Sequence, residues 1–114
     1  MRHDELPIFQ RWTEFLDWLL VVTDKFPKRA RFTFSIRIAN MAIDVLEKIM
    51  RAAYSRDKLE LLREINLNIE TLRVLIRFCN KKQYLSDTAY RHAIYELFDI
   101  GSMVGGWIKK ERSR

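Results

Sequence analysis

Apolar side chains recur three and four residues apart over four long stretches, the spacing of an amphipathic helix. Each stretch has a recognisable start: Pro7 suits a first helical turn, Asp57 and Glu60 match a capping box, and Ser86 is a natural N-cap. The four predicted helices run from Pro7 to about Asp24, from between Lys28 and Thr33 to Tyr54, from about Lys58 to Lys82, and from Ser86 onward.

One row of each helix is predicted to face a common core. The rows are Ile8, Trp12, Phe15, Leu19, Val22 and Phe26; Ile38, Ala42, Val45, Ile49 and Ala52; Leu62, Ile65, Ile69, Leu72, Ile76 and Cys79; and Tyr90, Ile94, Leu97, Gly101, Val104 and Ile108. Short connections favour antiparallel neighbours, so we expect an all-α, up-down four-helix bundle. We expect one domain over residues 1–114, with a frayed tail at about 1–6 and a basic, frayed tail at about 109–114.

The third helix carries two further strips besides its core row. Arg73, Arg77 and Lys81 repeat every fourth residue and form a cationic ridge. This ridge is either a solvated charged strip or a contact for a polyanion. Apolar residues of the second and third helices extend beyond the core rows and predict an oligomer interface: Ile36, Ile43 and Met50, and Leu67, Val74 and Phe78.

A second basic segment, KFPKRAR, follows the first helix. Its cations are Lys25, Lys28, Arg29 and Arg31; Arg37 lies just beyond, and no acid occurs until Asp44. Two hypotheses remain open for this segment. It is a loop that charge keeps exposed, or it belongs to a phosphate-binding surface.

Three glycines near the end of the fourth helix are unfavourable there, each by about 1 kcal/mol relative to alanine. Gly101 and Gly105 lie one turn apart, and Trp107 follows them. We therefore expect close helix packing at the two glycines, with Trp107 covering the thinned helix.

Composition narrows the function classes. The chain has 114 residues, a net charge of +6 and one cysteine. The positive charge makes nucleic acid or an anionic surface a plausible partner. The single cysteine fits a reducing compartment, and no signal peptide or membrane-spanning run is visible. We expect a soluble, cytoplasmic protein that does not engage a membrane.

Catalytic chemistry is not evident in the sequence. No Cys/His metal spacing occurs, and the one-turn pair His92 and Glu96 would supply only half of a metal site. Cys79 lies in a core row, where a structural thiol is expected. We predict no catalytic residues, no metal and no cofactor.

Several segments in a fixed order resemble a known family: KFPKRARFTFSIRI, then LRVLIRF, the serine before the last helix, and GSMVGGWIKK. This set, over about Phe9 to Lys110, resembles the accessory variability determinant proteins of diversity-generating retroelements. It resembles more distantly the four-helix-bundle proteins encoded in ribosomal RNA intervening sequences. The second helix lacks the arginine–alanine run and the N-I-A-E-G-like motif of that second group, so we prefer the retroelement group.

The resemblance implies a homopentameric barrel of four-helix bundles with a basic surface. It implies an accessory subunit that binds the retroelement's reverse transcriptase and nucleic acid, either template RNA or cDNA. Arg73 and Arg77 match paired arginines of the family's LR-x-x-LR-type segment, and the resemblance gives them a partner-binding role. The alternatives are a protein-only helical adaptor or scaffold, a ribosomal-type bundle protein of unknown role, and a small hydrolase or nuclease.

Overall fold

The computed structural model describes residues 2–114. Within them lie four long helices: α1 (Pro7–Asp24), α2 (Ile36–Tyr54), α3 (Leu59–Lys81) and α4 (Asp87–Arg112). A 3₁₀ turn (His3–Glu5) precedes α1, and a short turn (Lys28–Ala30) and a π-helical turn (Arg31–Ser35) lead into α2. No strand occurs in residues 2–114, which confirms the predicted all-α class.

The four helices form an elongated bundle of 46 × 20 × 18 Å. Each helix packs against the next in sequence, and α4 also packs against α1 and closes the ring. Short connections between neighbours make this the predicted up-down four-helix arrangement. Hydrogen bonds join neighbouring helices. Trp12 on α1 donates to the Ala42 carbonyl on α2 (2.8 Å), and Lys48 on α2 donates to the Asn68 side chain on α3 (2.7 Å).

The predicted core rows of α2 and α3 are buried at every position. In α1, Thr23 is buried, whereas Val22 of the predicted row is half-buried. Thr23 tolerates burial because its hydroxyl donates a hydrogen bond to the Leu19 carbonyl (2.9 Å) and needs no water. In α4 the row of residues that is buried differs from the predicted row and lies slightly further round the helix. The buried residues of α4 are Ala93, Leu97, Ile100 and Val104.

The helix ends show which local signals were decisive. The Ser86 hydroxyl accepts a hydrogen bond from the Ala89 amide (3.1 Å), so the predicted N-cap is confirmed. The cap of α3 is Lys58, one residue later than the predicted capping box, although Asp57 still accepts from the Leu59 amide (3.3 Å). The Lys58 ammonium instead donates to the Ala52 and Ser55 carbonyls (both 2.7 Å) and satisfies the end of α2.

The structure corrects the prediction of close helix packing at the glycines of α4. A Cβ at Gly105 would meet no other atom within 4 Å, so close packing there within the chain is wrong. A Cβ at Gly101 would meet the Ile69 Cγ2 at 4.0 Å, an ordinary contact that alanine could also make. Trp107 is half-buried and packs against the hydrophobic core.

Helical turns occur within both segments that we predicted to be frayed tails. Met1, part of the predicted first tail, lies outside the described residues. His3–Glu5 form the 3₁₀ turn, and the His3 Nδ1 lies 2.6 Å from the Tyr54 hydroxyl. At the other end α4 continues to Arg112, because Trp107 and Ile108 still pack on the core in this part of the helix.

Candidate functional site

The two basic segments, distant in sequence, meet at one end of the bundle. The connection from α1 to the Lys28 turn and the connection from α3 to α4 lie side by side there. The rings of Phe26 and Tyr84 have centroids 6.1 Å apart, and the Arg29 guanidinium lies 5.7 Å from the Tyr84 centroid. We call this region the basic end and define it by Lys25, Lys28, Arg29, Lys81 and Lys82.

Four aromatic rings support the basic end. Phe34 stacks on Phe78 with a centroid distance of 5.6 Å and an interplanar angle of 19°, and it lies 6.1 Å from Tyr84. Phe26 is buried beneath them, and the Lys82 ammonium lies 5.8 Å from the Phe78 centroid. Phe26, Phe34, Phe78 and Tyr84 form the aromatic cluster, and Arg29 and Lys82 each lie over one of its rings.

The cations at and beside the basic end are exposed and lack acidic partners. Within residues 2–114, no carboxylate oxygen lies within 4.0 Å of the charged nitrogens of these residues: Lys25, Lys28, Arg29, Arg31, Arg37, Arg77, Lys81 and Lys82. The nearby carboxylate of Asp87 instead accepts a hydrogen bond from the Asn80 side chain (2.9 Å), across the connection between α3 and α4. The summed field at this end is therefore positive and attracts anions.

Two of the predicted cations lie away from the centre of the basic end. Arg31 donates through Nε to the Phe26 carbonyl (3.3 Å) and lines a groove between α1 and α2. Arg37 lines a second groove, between α2 and α3, together with Phe34 and Leu75. The predicted basic segment therefore covers more than one face of the bundle.

The cationic ridge on α3 is not uniform. Arg73 is half-buried, pairs with Glu70 (3.0 Å), and has a buried Nε without a hydrogen-bond partner. Arg77 and Lys81 are exposed and have no carboxylate within 4.0 Å in the described chain. The ridge thus joins the basic end through Arg77 and Lys81, while Arg73 belongs to the groove between α3 and α4.

The apolar rows outside the core are exposed, as predicted, with the exception of Met50. Leu67 and Val74 are 68% and 61% exposed, and Ile36 and Ile43 are exposed on α2. Met50 is half-buried, and Phe78 is exposed but also stacks on Phe34 in the aromatic cluster.

Besides Tyr54, which is 62% exposed and contacts His3, three exposed aromatic residues were not predicted as surface features. Phe32 is 79% exposed, because the π-helical turn directs it away from the core between two grooves. The sequence gives no signal for that turn. Tyr95 and Phe98 are also exposed, and their spacing of three residues on the outer side of α4 would have allowed their prediction.

The groups with possible chemistry have structural partners. Burial raises the pKa of Cys79 to about 11. The ring of His92 packs edge-on against Trp18 (4.5 Å), while Glu96 accepts from Arg11, as does Asp99 (2.6 Å). Hydrogen bonds to Glu96 and Asp99 raise the pKa of Arg11 above its ordinary value. Within residues 2–114, no three His, Cys, Asp or Glu side chains form a group suited to a metal ion.

None of the helices in residues 2–114 combines the length and the apolar composition needed to cross a membrane.

Comparisons with known proteins give one family. A family model described as bAvd-like matches residues 6–111, almost the whole chain. No curated protein matches the chain. The matched family agrees with the retroelement-type resemblance seen in the ordered sequence segments, and it covers all four helices.

Proposed function

The chain belongs to the bAvd-like family, and on that premise we propose that it is a non-catalytic accessory subunit of a retroelement reverse transcriptase. In this role it binds the polymerase and the template RNA or its cDNA in the cytoplasm. The polymerase supplies the chemistry, and this chain supplies a charged, rigid surface. The observation that carries the proposal is the meeting of two basic segments, without acidic partners, at one end of the bundle.

The physical argument is that the fold assembles charge at a cost that a bound polyanion would offset. Arg29 lies over Tyr84 and Lys82 lies over Phe78, and both rings pack against Phe34, so like charges are concentrated in one region. Phosphates would neutralise these cations and release counterions, which is the main source of non-specific nucleic-acid affinity. Arg77 continues this surface along α3. Arg73, to which the resemblance gives a partner-binding role, is less accessible to a partner because its guanidinium pairs with Glu70.

Self-association is part of the same proposal. We propose a homo-oligomer, a pentamer by resemblance, that buries the exposed rows Ile36, Ile43, Leu67 and Val74, with Met50 at the margin. Phe78 is assigned to the basic end instead, because its ring stacks on Phe34 and lies near the Lys82 ammonium. The exposed apolar rows also favour a second candidate function, a protein-only adaptor that binds no nucleic acid.

A charge-matched pair of variants tests the role of the basic end. One variant changes Lys28, Arg29, Lys81 and Lys82 to Gln; the control changes the exposed Arg56, Lys109, Lys110 and Arg112, at the opposite end of the bundle, to Gln. Both lose the same net charge. We expect only the first to lose RNA and DNA affinity, with the slope of log affinity against log salt falling by roughly one unit per lost phosphate contact.

Equal losses in the two variants would mean that only net charge matters, and the basic end would have no special role. Absence of nucleic-acid binding by the unchanged protein would favour the adaptor. Co-purification with a reverse transcriptase encoded beside this chain tests the polymerase partner separately.

A further inference from the structure

We propose that the basic end selects single-stranded nucleic acid, by stacking unpaired bases on Phe78 and Tyr84 while the adjacent cations bind phosphates. This inference rests on the proposed function and specifies the form of nucleic acid that the same site takes. It follows from the aromatic cluster, which charge alone does not explain.

The two rings are partly accessible and held from behind. Phe78 is 46% exposed, and Tyr84 is half-buried. Phe34 packs against both rings, at 5.6 Å and 6.1 Å, and Phe26 supports Tyr84 at 6.1 Å. A ring that its neighbours already fix loses little conformational freedom when a base stacks on it.

Each accessible ring has its own cation. Arg29 lies over Tyr84 (5.7 Å) and Lys82 over Phe78 (5.8 Å), and neither cation has a carboxylate within 4.0 Å in the described chain. Both side chains are long and exposed, so they can turn from the ring to a phosphate when a base takes their place. The site therefore offers ring faces and phosphate-binding groups next to each other, which is the combination that single strands use.

A duplex cannot use both parts of this site. Within a duplex the faces of the bases are covered by their neighbours in the stack, so only the phosphates are available to the cations. An unpaired strand presents base faces and phosphates together. Stacking on an aromatic ring depends little on which base is stacked or on whether the sugar is ribose or deoxyribose. Single-stranded RNA and single-stranded DNA should therefore both bind.

The test compares one ring at the basic end with a ring elsewhere. Phe78→Leu removes the aromatic face and keeps the charge, while Phe98→Leu is the control, since Phe98 is 66% exposed on α4 and outside the aromatic cluster. The probes are a 20-nucleotide single-stranded RNA, the single-stranded DNA of the same sequence, and the corresponding duplex DNA. Fluorescence anisotropy gives each affinity at several salt concentrations.

We expect the unchanged protein to prefer both single strands over the duplex. Phe78→Leu should weaken single-strand binding by about 5- to 150-fold, with an unchanged salt slope because no cation is lost. Duplex binding should not change, and Phe98→Leu should behave as the unchanged protein. Crosslinking of the unchanged protein to single-stranded RNA with ultraviolet light should label Phe78 or Tyr84, a result that does not depend on the folding of any variant.

The failures can be distinguished. If the duplex binds as well as the single strands and Phe78→Leu has no effect, stacking is wrong and nucleic-acid binding stands. If crosslinks map to Phe98 or other distant rings, the proposed position is wrong. If no probe binds, the proposed function itself fails.

Discussion

Arg73 and Arg77 lie one turn apart on α3 and nevertheless have different surroundings. Arg73 turns toward α4 and pairs with Glu70, whereas Arg77 is exposed. The i,i+3 pair of Arg73 and Glu70 is largely open to solvent, with side chains 39% and 60% exposed, and contributes only a few tenths of a kcal/mol. Neither arginine is therefore essential for folding on electrostatic grounds. The sequence spacing alone treats the two as equivalent, and only the packing of α3 against α4 separates them.

Cys79 provides a prediction at the residue scale. Its thiol is fully buried, and burial raises its pKa from 9.0 to about 11. At pH 8 the native protein should therefore react with a thiol reagent only as fast as it opens, and guanidinium should abolish this protection. A variant with Cys79→Ala and Ser102→Cys is the control, because Ser102 is exposed and its replacement should react at once. Rapid labelling of native Cys79 would show that α3 is not packed as described.

The same thiol gives a pH dependence with a definite sign. The unfolded chain loses the thiol proton near pH 9 and the folded chain near pH 11, so the folded state holds more protons between these values. Its contribution to stability is complete below pH 9 and decreases as the pH rises through 11. Chemical denaturation across this range should show a smaller decrease for Cys79→Ala than for the unchanged protein.

At the scale of helices, α4 departs most from its pattern. The sequence row runs through Tyr90, Ile94 and Gly101, whereas the buried row runs through Ala93 and Ile100. Ala93 is small and allows close packing, so apolar size was a poor guide to which side of α4 faces inward. Trp107 and Ile108 keep the last turns on the core despite the basic residues that follow.

Gly105 gives a prediction at this scale that replaces the close helix packing expected from the sequence. Because nothing lies within 4 Å of a Cβ at this position, Gly105→Ala should stabilise the helix by about 0.5–1 kcal/mol. Thermal melting at a concentration where the protein is a monomer measures this gain. Gly101→Ala is the matched comparison, where contact with Ile69 reduces the benefit. A loss of stability for Gly105→Ala would contradict the open space described beside this position.

For the whole molecule, the arrangement of helices determines which charges and apolar rows become neighbours. Arg11 on α1 binds Glu96 and Asp99 on α4 and closes the ring of helices. The antiparallel order then places the connection between α1 and α2 and the connection between α3 and α4, with their cations, at the same end of the bundle. The outer sides of α2 and α3 keep their exposed apolar rows.

Assembly is the prediction at this scale. We expect light scattering at micromolar concentration to give a multiple of the 13.8 kDa chain mass, five by resemblance. Ile43→Glu and Val74→Glu should reduce that mass without lowering the helix content of the chain, because both residues are exposed in the bundle. Val21→Glu is the control, as an exposed apolar residue on α1 outside the two rows. A monomer for the unchanged protein would contradict the proposed oligomer.

The sequence by itself determined the helices and most of the core. Apolar spacing of three and four residues, together with a proline, a serine cap and short connections, leaves few alternatives to an antiparallel bundle. It also identified the basic segments and the apolar rows of α2 and α3, because long-range packing does not change which residues share a helix face.

The tertiary structure decided which faces meet. Phe26, Phe34, Phe78 and Tyr84 come from distant parts of the chain, and no local spacing relates them. The π-helical turn that exposes Phe32, the different surroundings of Arg73 and Arg77, and the open space beside Gly105 all depend on neighbouring helices. Local patterns fix the direction of a side chain on its own helix. The atoms that it contacts depend on helices whose relative positions only the packed core determines.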